Sequence, residues 1–213
     1  MSRIALIHAL RHSPPPIEEA FREVWPEASL MNLLDDSLSA DLARDGALTS
    51  AMTRRFLDLA GYAVRAGCDG LLFTCSAFGP CIDAVKAAHP SIPVLKPNEA
   101  MIEEAAASAR SIGLLATFGP TLASMPAEFP RHVQIKPLLV PGALAALDAG
   151  DADEHNRLAG EAARELEECD AVALAQFSLA RAAAAVRGVT GKPVFTTPHS
   201  AVRKLKQLLT SKA

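Results

Sequence analysis

CDGLLFTCSAFGPCIDAVKAAHPSIPVL, residues 68–95, returns later in the chain as CDAVALAQFSLARAAAAVRGVTGKPVF, residues 169–195. Each copy opens with Cys-Asp, continues as a short apolar run, crosses a polar loop, enters an alanine-containing helical stretch and ends at Pro-Val. The second copy is one residue shorter before its Pro-Val. Short apolar runs alternating with stretches of helical period predict successive β-α-β units. Near-continuous apolar strands predict a parallel sheet covered by helices on both faces.

The match extends outward in both directions. KPNEAM (96–101) corresponds to TTPHSAV (196–202), each opening a helix after a proline, which fits the first helical turn without losing a bond. RIALIHALRHSPPPIEEAF (3–21) corresponds to SIGLLATFGPTLASMPAEF (111–129). With ASLMNLL (28–34) and VQIKPLLV (133–140), the apolar runs make eight strands, four per copy. The expected fold is therefore α/β: two pseudo-symmetric flavodoxin-like halves, each a four-stranded parallel sheet flanked by helices. The halves are residues 1–97 and 98–197, with the C-terminal helix 198–213 packing back on the first. Open parallel sheets bind ligands beyond the carboxyl ends of their strands, so the active site is expected in the cleft between the halves.

Composition narrows the partner. The 213 residues carry a formal net charge of −3 with mixed signs, so no basic stripe offers itself to nucleic acid or to an anionic membrane. The first apolar run, RIALIHAL, is too short for a signal peptide or a membrane span. The four cysteines, Cys68, Cys75, Cys81 and Cys169, lack the spacing of a zinc site, and a chain of this size does not need disulfide staples. A small-molecule partner, no cofactor, no metal and a reduced, cytoplasmic setting are expected.

The strand ends supply the candidate chemistry. His8, Arg11, His12 and Ser13 follow the first strand; Thr74, Cys75 and Ser76 follow the third. The second half offers Thr117, Thr121 and Ser124, then Gln176, Phe177 and Ser178, then Thr196, Thr197, His199 and Ser200. Hydroxyls, amides and free N–H groups at helix starts bind carboxylates without a metal. Cys75 stands apart, because a thiol at a helix N-terminus is expected to favour its reactive thiolate. Cys68 and Cys169 occupy equivalent places before strands and read as structural, as does Cys81 in a first helical turn. Arg11 is the best-placed cation for a substrate carboxylate, and His199 a candidate second base. His89, His132 and His155 read as surface or turn residues, and Phe78 and Phe177 as packing or pocket-lining groups.

Two α/β halves with TCS closing a strand of the first resemble the aspartate/glutamate racemase superfamily, which includes hydantoin racemases, maleate isomerase and arylmalonate decarboxylase. RIALIHAL, LLFTCSAFG, PVLKPNEAM and SIGLLATFGPT carry the resemblance along nearly the whole chain. It implies cofactor-independent chemistry at the carbon next to a carboxylate of a small acid or amino acid, and a homodimer. It also implies two cysteines, one on each face of that carbon. Cys75 matches the first, but the residue aligned with the second is Gln176, whose amide does not exchange protons usefully near neutral pH. The resemblance therefore leaves open an isomerase with Cys75 as acid/base, an asymmetric decarboxylase with Cys75 as sole proton donor, and a non-catalytic carboxylate binder. In each, Arg11, Thr74, Ser76, Thr117, Thr121, Gln176, Phe177 and Ser178 are the groups expected to hold substrate.

Overall fold

The computed structural model describes residues 1–211; the last two positions of the helix expected over 198–213 lie outside the described residues. The chain divides into two units: Met1–Glu99 with the chain from Ala201 onward, and Ala100–Ser200. Along the chain run β1 (Arg3–His8), α1 (Pro14–Val24), β2 (Ser29–Leu34), α2 (Ser37–Asp45), α3 (Ser50–Arg65), β3 (Gly70–Phe73), α4 (Gly79–Ala88) and β4 (Val94–Leu95). Then come α5 (Glu99–Ser108), β5 (Ser111–Ala116), α6 (Gly119–Ser124), β6 (Gln134–Leu139), α7 (Ala143–Asp148) and α8 (Ala152–Ala162). Last are β7 (Ala171–Leu174), α9 (Ala183–Thr190), β8 (Val194–Thr196) and α10 (Thr197–Thr210). Short 3₁₀ turns, Ser76–Phe78 and Ser178–Ala182, follow β3 and β7.

Each unit contains one four-stranded sheet, in the orders β2-β1-β3-β4 and β6-β5-β7-β8, and every pairing is parallel. The eight strands read from the sequence are the strands formed, and the α/β class with two helix-flanked parallel sheets holds. The chain crosses between units at the starts of α5 and of α10, so α5 packs in the second unit and α10 from Ala201 packs in the first. Leu205 and Leu209 of α10 lie over Gly70, and Lys206 Nζ donates to the Val24 carbonyl at 2.9 Å.

Register makes the repeat physical. Ile4 pairs with Gly70 and Leu30 in the first sheet; Ile112 pairs with Ala171 and Ile135 in the second. Stepping along the strands makes His8 equivalent to Ala116, Thr74 to Ala175, Asn32 to Pro137 and Cys75 to Gln176. The Cys-Asp motif has a matching role in both units. The Asp69 carboxylate accepts from the Arg3 N–H at 2.8 Å, and the Asp170 carboxylate accepts from the Ser111 and Arg110 N–H groups at 2.9 and 3.1 Å. Each aspartate ties the start of the central strand to its neighbour and satisfies donors that the ladder leaves open. Cys68 and Cys169, beside them, are buried.

Alternation along the strands fills both faces. In the second unit Ile112, Leu114, Ala116, Ala173 and Ala175 pack with Met101, Ile102 and Ala105 of α5, while Leu115, Val172 and Leu174 face Ala159, Leu166 and Val186. In the first, Ala5, Ile7, Leu71 and Phe73 face Phe56, Phe78 and Ile82. Phe56 stacks on Phe73 at 5.3 Å between ring centroids and tilts against Phe78 at 4.9 Å. Phe78 is thus core, filling the first unit.

Candidate active site

In the first unit, β1 and β3 end together at a polar junction. Thr74 continues β3, its N–H donating to the Ile7 carbonyl at 3.1 Å. His8, fully buried at the end of β1, has Nδ1 2.9 Å from Thr74 Oγ1 and Nε2 2.9 Å from Asn32 Oδ1. Asn32 Nδ2 in turn donates to Glu18 Oε1 at 2.7 Å. The carboxylate requires the amide nitrogen of Asn32 on its side, so Asn32 Oδ1 accepts from His8 Nε2–H. Neutral His8 then has an unprotonated Nδ1, which accepts the Thr74 hydroxyl proton. Burial pushes the imidazole below its ordinary value, outweighing the raising pulls of the Asn32 bond and the Glu18 charge.

Cys75 follows on the opposite face of the strand. It is the one half-buried cysteine; Cys68, Cys81 and Cys169 are buried. It borders a gap lined also by Ile7, His8, Ala9, Leu38, Phe56 and Phe73 that is too narrow for a water molecule. Burial pushes the thiol up, and the Ala77 N–H, which pulls it down, is too weak to compensate. This corrects the expectation of a thiolate favoured by a helix start. The turn that Cys75 precedes is three residues of 3₁₀ helix before α4 begins at Gly79, so the helix dipole begins too far away and the apolar surroundings dominate. The resting form favoured by its surroundings is the thiol, a proton donor.

The second unit closes the same corner differently. The Thr117 N–H and hydroxyl both point at Gln176 Oε1, at 2.6 and 3.0 Å. A backbone N–H can only donate, so the amide is oriented oxygen-first toward Thr117, and its nitrogen is the end left to meet a ligand. Gln176 and Ser178 are half-buried; Thr117, Thr121 and Phe177 are buried.

Several expected site residues stand elsewhere or are already engaged. The Thr74 hydroxyl is buried and committed to His8, so it cannot also donate to a substrate. Thr117 is committed to Gln176 in the same way. Arg11 is exposed and paired with Asp36 at 2.5 Å, where solvent screens it, rather than held for a carboxylate. His199 is half-buried at the start of α10, its Nδ1 2.8 Å from Thr196 Oγ1. Ser76 is half-buried beside Cys75. His155, expected at the surface, is fully buried: Nδ1–H donates to the Ala143 carbonyl at 2.9 Å, Nε2 has no hydrogen-bond partner, and burial lowers its pKa. The period of α8 turns it inward, between α7 and the turn after β7. Asn32 was the residue missed, and its signal was a single amide inside the otherwise apolar run LMNLL. Among the described residues no group of three or more His, Cys, Asp or Glu side chains is arranged to hold a metal ion, and no helix is long and apolar enough to cross a membrane.

The family model for Asp/Glu/Hydantoin racemase matches residues 15–129, more than half of the chain. The chain belongs to this family. Membership of a racemase family makes it an enzyme of the isomerase type. Solved structures agree in fold along almost the full length. The aspartate racemase of Picrophilus torridus superposes with a TM-score of 0.73 at 9% identity, over 99% of this chain and 95% of its own. The allantoin racemase of Klebsiella pneumoniae gives 0.70 at 18% identity over 100% and 89%. The glutamate racemase of Francisella tularensis, in complex with D-glutamate, gives 0.70 at 14% identity over 99% and 82%. No curated protein matches the sequence significantly.

Proposed function

We propose that the protein is a cofactor-independent racemase-type enzyme that transfers a proton at the carbon next to the carboxylate of a small acid or amino acid, with Cys75 as the proton-transferring group. The observation that carries this reading is the cysteine at the end of β3, only partly buried in a chain whose other cysteines are buried. The D-glutamate in the Francisella tularensis glutamate racemase supports an amino-acid-sized substrate. Ser76 and the loop N–H groups beside it supply donors for a carboxylate. In the second unit, the Gln176 amide is held oxygen-first by Thr117, which leaves its nitrogen as an N–H donor. The four free thiols support a reducing compartment such as the cytoplasm. Candidate amino and hydroxy acids incubated in deuterated water test the reading: the protein incorporates deuterium at the carbon next to the carboxylate, and Cys75→Ala does not. Exchange undiminished in Cys75→Ala sinks it.

One observation favours a second reading. Gln176 replaces the second thiol, and the first is poised as a donor rather than a base. In an asymmetric decarboxylase a malonate-type acid loses one carboxylate as carbon dioxide. The electron pair stays behind as an enolate held by hydrogen bonds, and Cys75 Sγ–H delivers its proton to one face before solvent reprotonates the thiolate. Carbon dioxide release from disubstituted malonates, with a single enantiomer formed, supports this reading; exchange of amino acids without carbon dioxide release supports the first.

A further inference from the structure

The junction that precedes Cys75 is present in only one of two otherwise matching strand ends. In the first unit Glu18, Asn32, His8 and Thr74 form a directed chain of hydrogen bonds with separations of 2.7, 2.9 and 2.9 Å. In the second unit the equivalents of Asn32, His8 and Thr74 are Pro137, Ala116 and Ala175, which can make none of these side-chain bonds. The backbone geometry is nevertheless kept. The Thr74 N–H reaches the Ile7 carbonyl at 3.1 Å, and the Ala175 N–H reaches the Leu115 carbonyl at 2.9 Å. A strand end of this fold therefore closes without the chain. Burying the polar side chains of His8 and Thr74 where two alanines suffice is costly unless their bond serves something besides closure.

Resting on the reading of Cys75 as the proton-transferring group, we infer that His8 and Thr74, braced by Asn32 and Glu18, are positioning residues that fix the direction of the Cys75 thiol. None of the four touches the reacting atoms. Successive strand side chains point to opposite faces, so the bond that holds Thr74 toward His8 turns the next residue toward the dry gap under Ala9 and Phe56. Asn32 anchors the chain to the edge strand, where Leu6 is its partner in register, and Glu18 anchors it to α1. The hydrogens run one way throughout, from Thr74 to His8 to Asn32, and from the Asn32 nitrogen to Glu18. Each side chain is thereby held in one orientation.

Site-resolved alkylation of Cys75 by iodoacetamide across pH, in the full-length protein, tests this without depending on any substrate. Thr74→Val keeps the shape and removes the hydroxyl, whereas Thr74→Ser keeps the hydroxyl. Thr74→Val releases the thiol from the gap, moving its alkylation profile to lower pH and raising its rate near neutrality about fivefold. Thr74→Ser stays within about twofold of the parent, and Asn32→Ala shifts the profile in the same direction as Thr74→Val but less. Where an exchange or decarboxylation assay is in hand, Thr74→Val lowers kcat about tenfold with little change in KM, because binding groups are untouched while the thiol is misdirected. A Thr74→Val alkylation profile that superposes on the parent's, or on that of Thr74→Ser, overturns the inference. Failure of the proposed function is read separately, from undiminished turnover in Cys75→Ala, a variant that does not enter the alkylation comparison.

Discussion

At the carboxyl ends of the two central strands, the two units place their polar cross-links one residue apart. The first joins His8 to Thr74 and leaves the next pair as Ala9 and Cys75; the second has Ala116 and Ala175 there and joins the next pair, Thr117 to Gln176. Because side chains alternate between faces, a shift of one residue moves the cross-link to the other side of the sheet. In the first unit the pair that carries the thiol, Ala9 and Cys75, has no side-chain cross-link of this kind. In the second unit the matching pair carries an amide held by two bonds. The two corners are equivalent in register, and the placement of one hydrogen bond leaves a thiol at one and a tied amide at the other.

The largest expected effect comes from breaking the reactive corner. Cys75→Ala lowers exchange or turnover by about a thousandfold or more, while the melting temperature moves little, since the side chain is small and only partly buried. Restoring symmetry is the next test. Gln176→Cys removes the acceptor of both Thr117 bonds and puts a thiol at the register equivalent of Cys75. Two-directional racemisation then appears or rises, measured by polarimetry with each enantiomer, and no change in exchange of either enantiomer breaks the equivalence of the two corners. Gln176→Ala, in contrast, leaves the Thr117 N–H without its partner and costs about 1–3 kcal/mol in denaturant unfolding.

Smaller effects separate the units by packing and by titration. Gly113 and Ala5 are equivalent, but a Cβ on Gly113 would stand 2.6 Å from Leu166 Cδ1 in a filled core. Gly113→Ala therefore destabilises by about 1–3 kcal/mol through overpacking, whereas Ala5→Gly costs about 1 kcal/mol through backbone freedom and the lost methyl. Each unit also buries one histidine, His8 with both nitrogens bonded and His155 with Nε2 unpartnered. Both have folded-state pKa values below the ordinary 6.5. The unfolded chain therefore takes up these protons first, and stability present above about pH 6.5 is lost as the pH falls toward the depressed folded values. Thermal unfolding followed from neutral pH downward shows this decline. In His155→Gln, which can still donate to the Ala143 carbonyl, the decline is shallower; an unchanged slope would exclude His155 as a contributor.

Much of this was legible in the residues. Cys-Asp, the apolar runs and Pro-Val are local patterns, and the chain's duplication let each copy check the other, so strand number, parallel sheets and the match of Cys75 with Gln176 followed from spacing. Thr74, Thr117 and Arg11 read as substrate donors because strand-end hydroxyls and cations bind carboxylates in general. Their actual partners, His8, Gln176 and Asp36, were not deducible from composition around them. His155 was misread because a helical period marks an inward face only once the neighbours that cover it are known.

The sequence by itself determined the repeat, the α/β class and the presence of one strand-end thiol where its twin holds an amide, since these depend on periodicity and order. Only the tertiary structure decided which hydroxyls were already spent and which way burial shifts the thiol. Register brings His8 beside Thr74, 66 residues away, and beside Asn32, 24 residues away, and burial beside the dry gap pushes the Cys75 thiol up. Hydrogen-bond choice and protonation are settled by what surrounds a group in space, and that is fixed only when the strands pair.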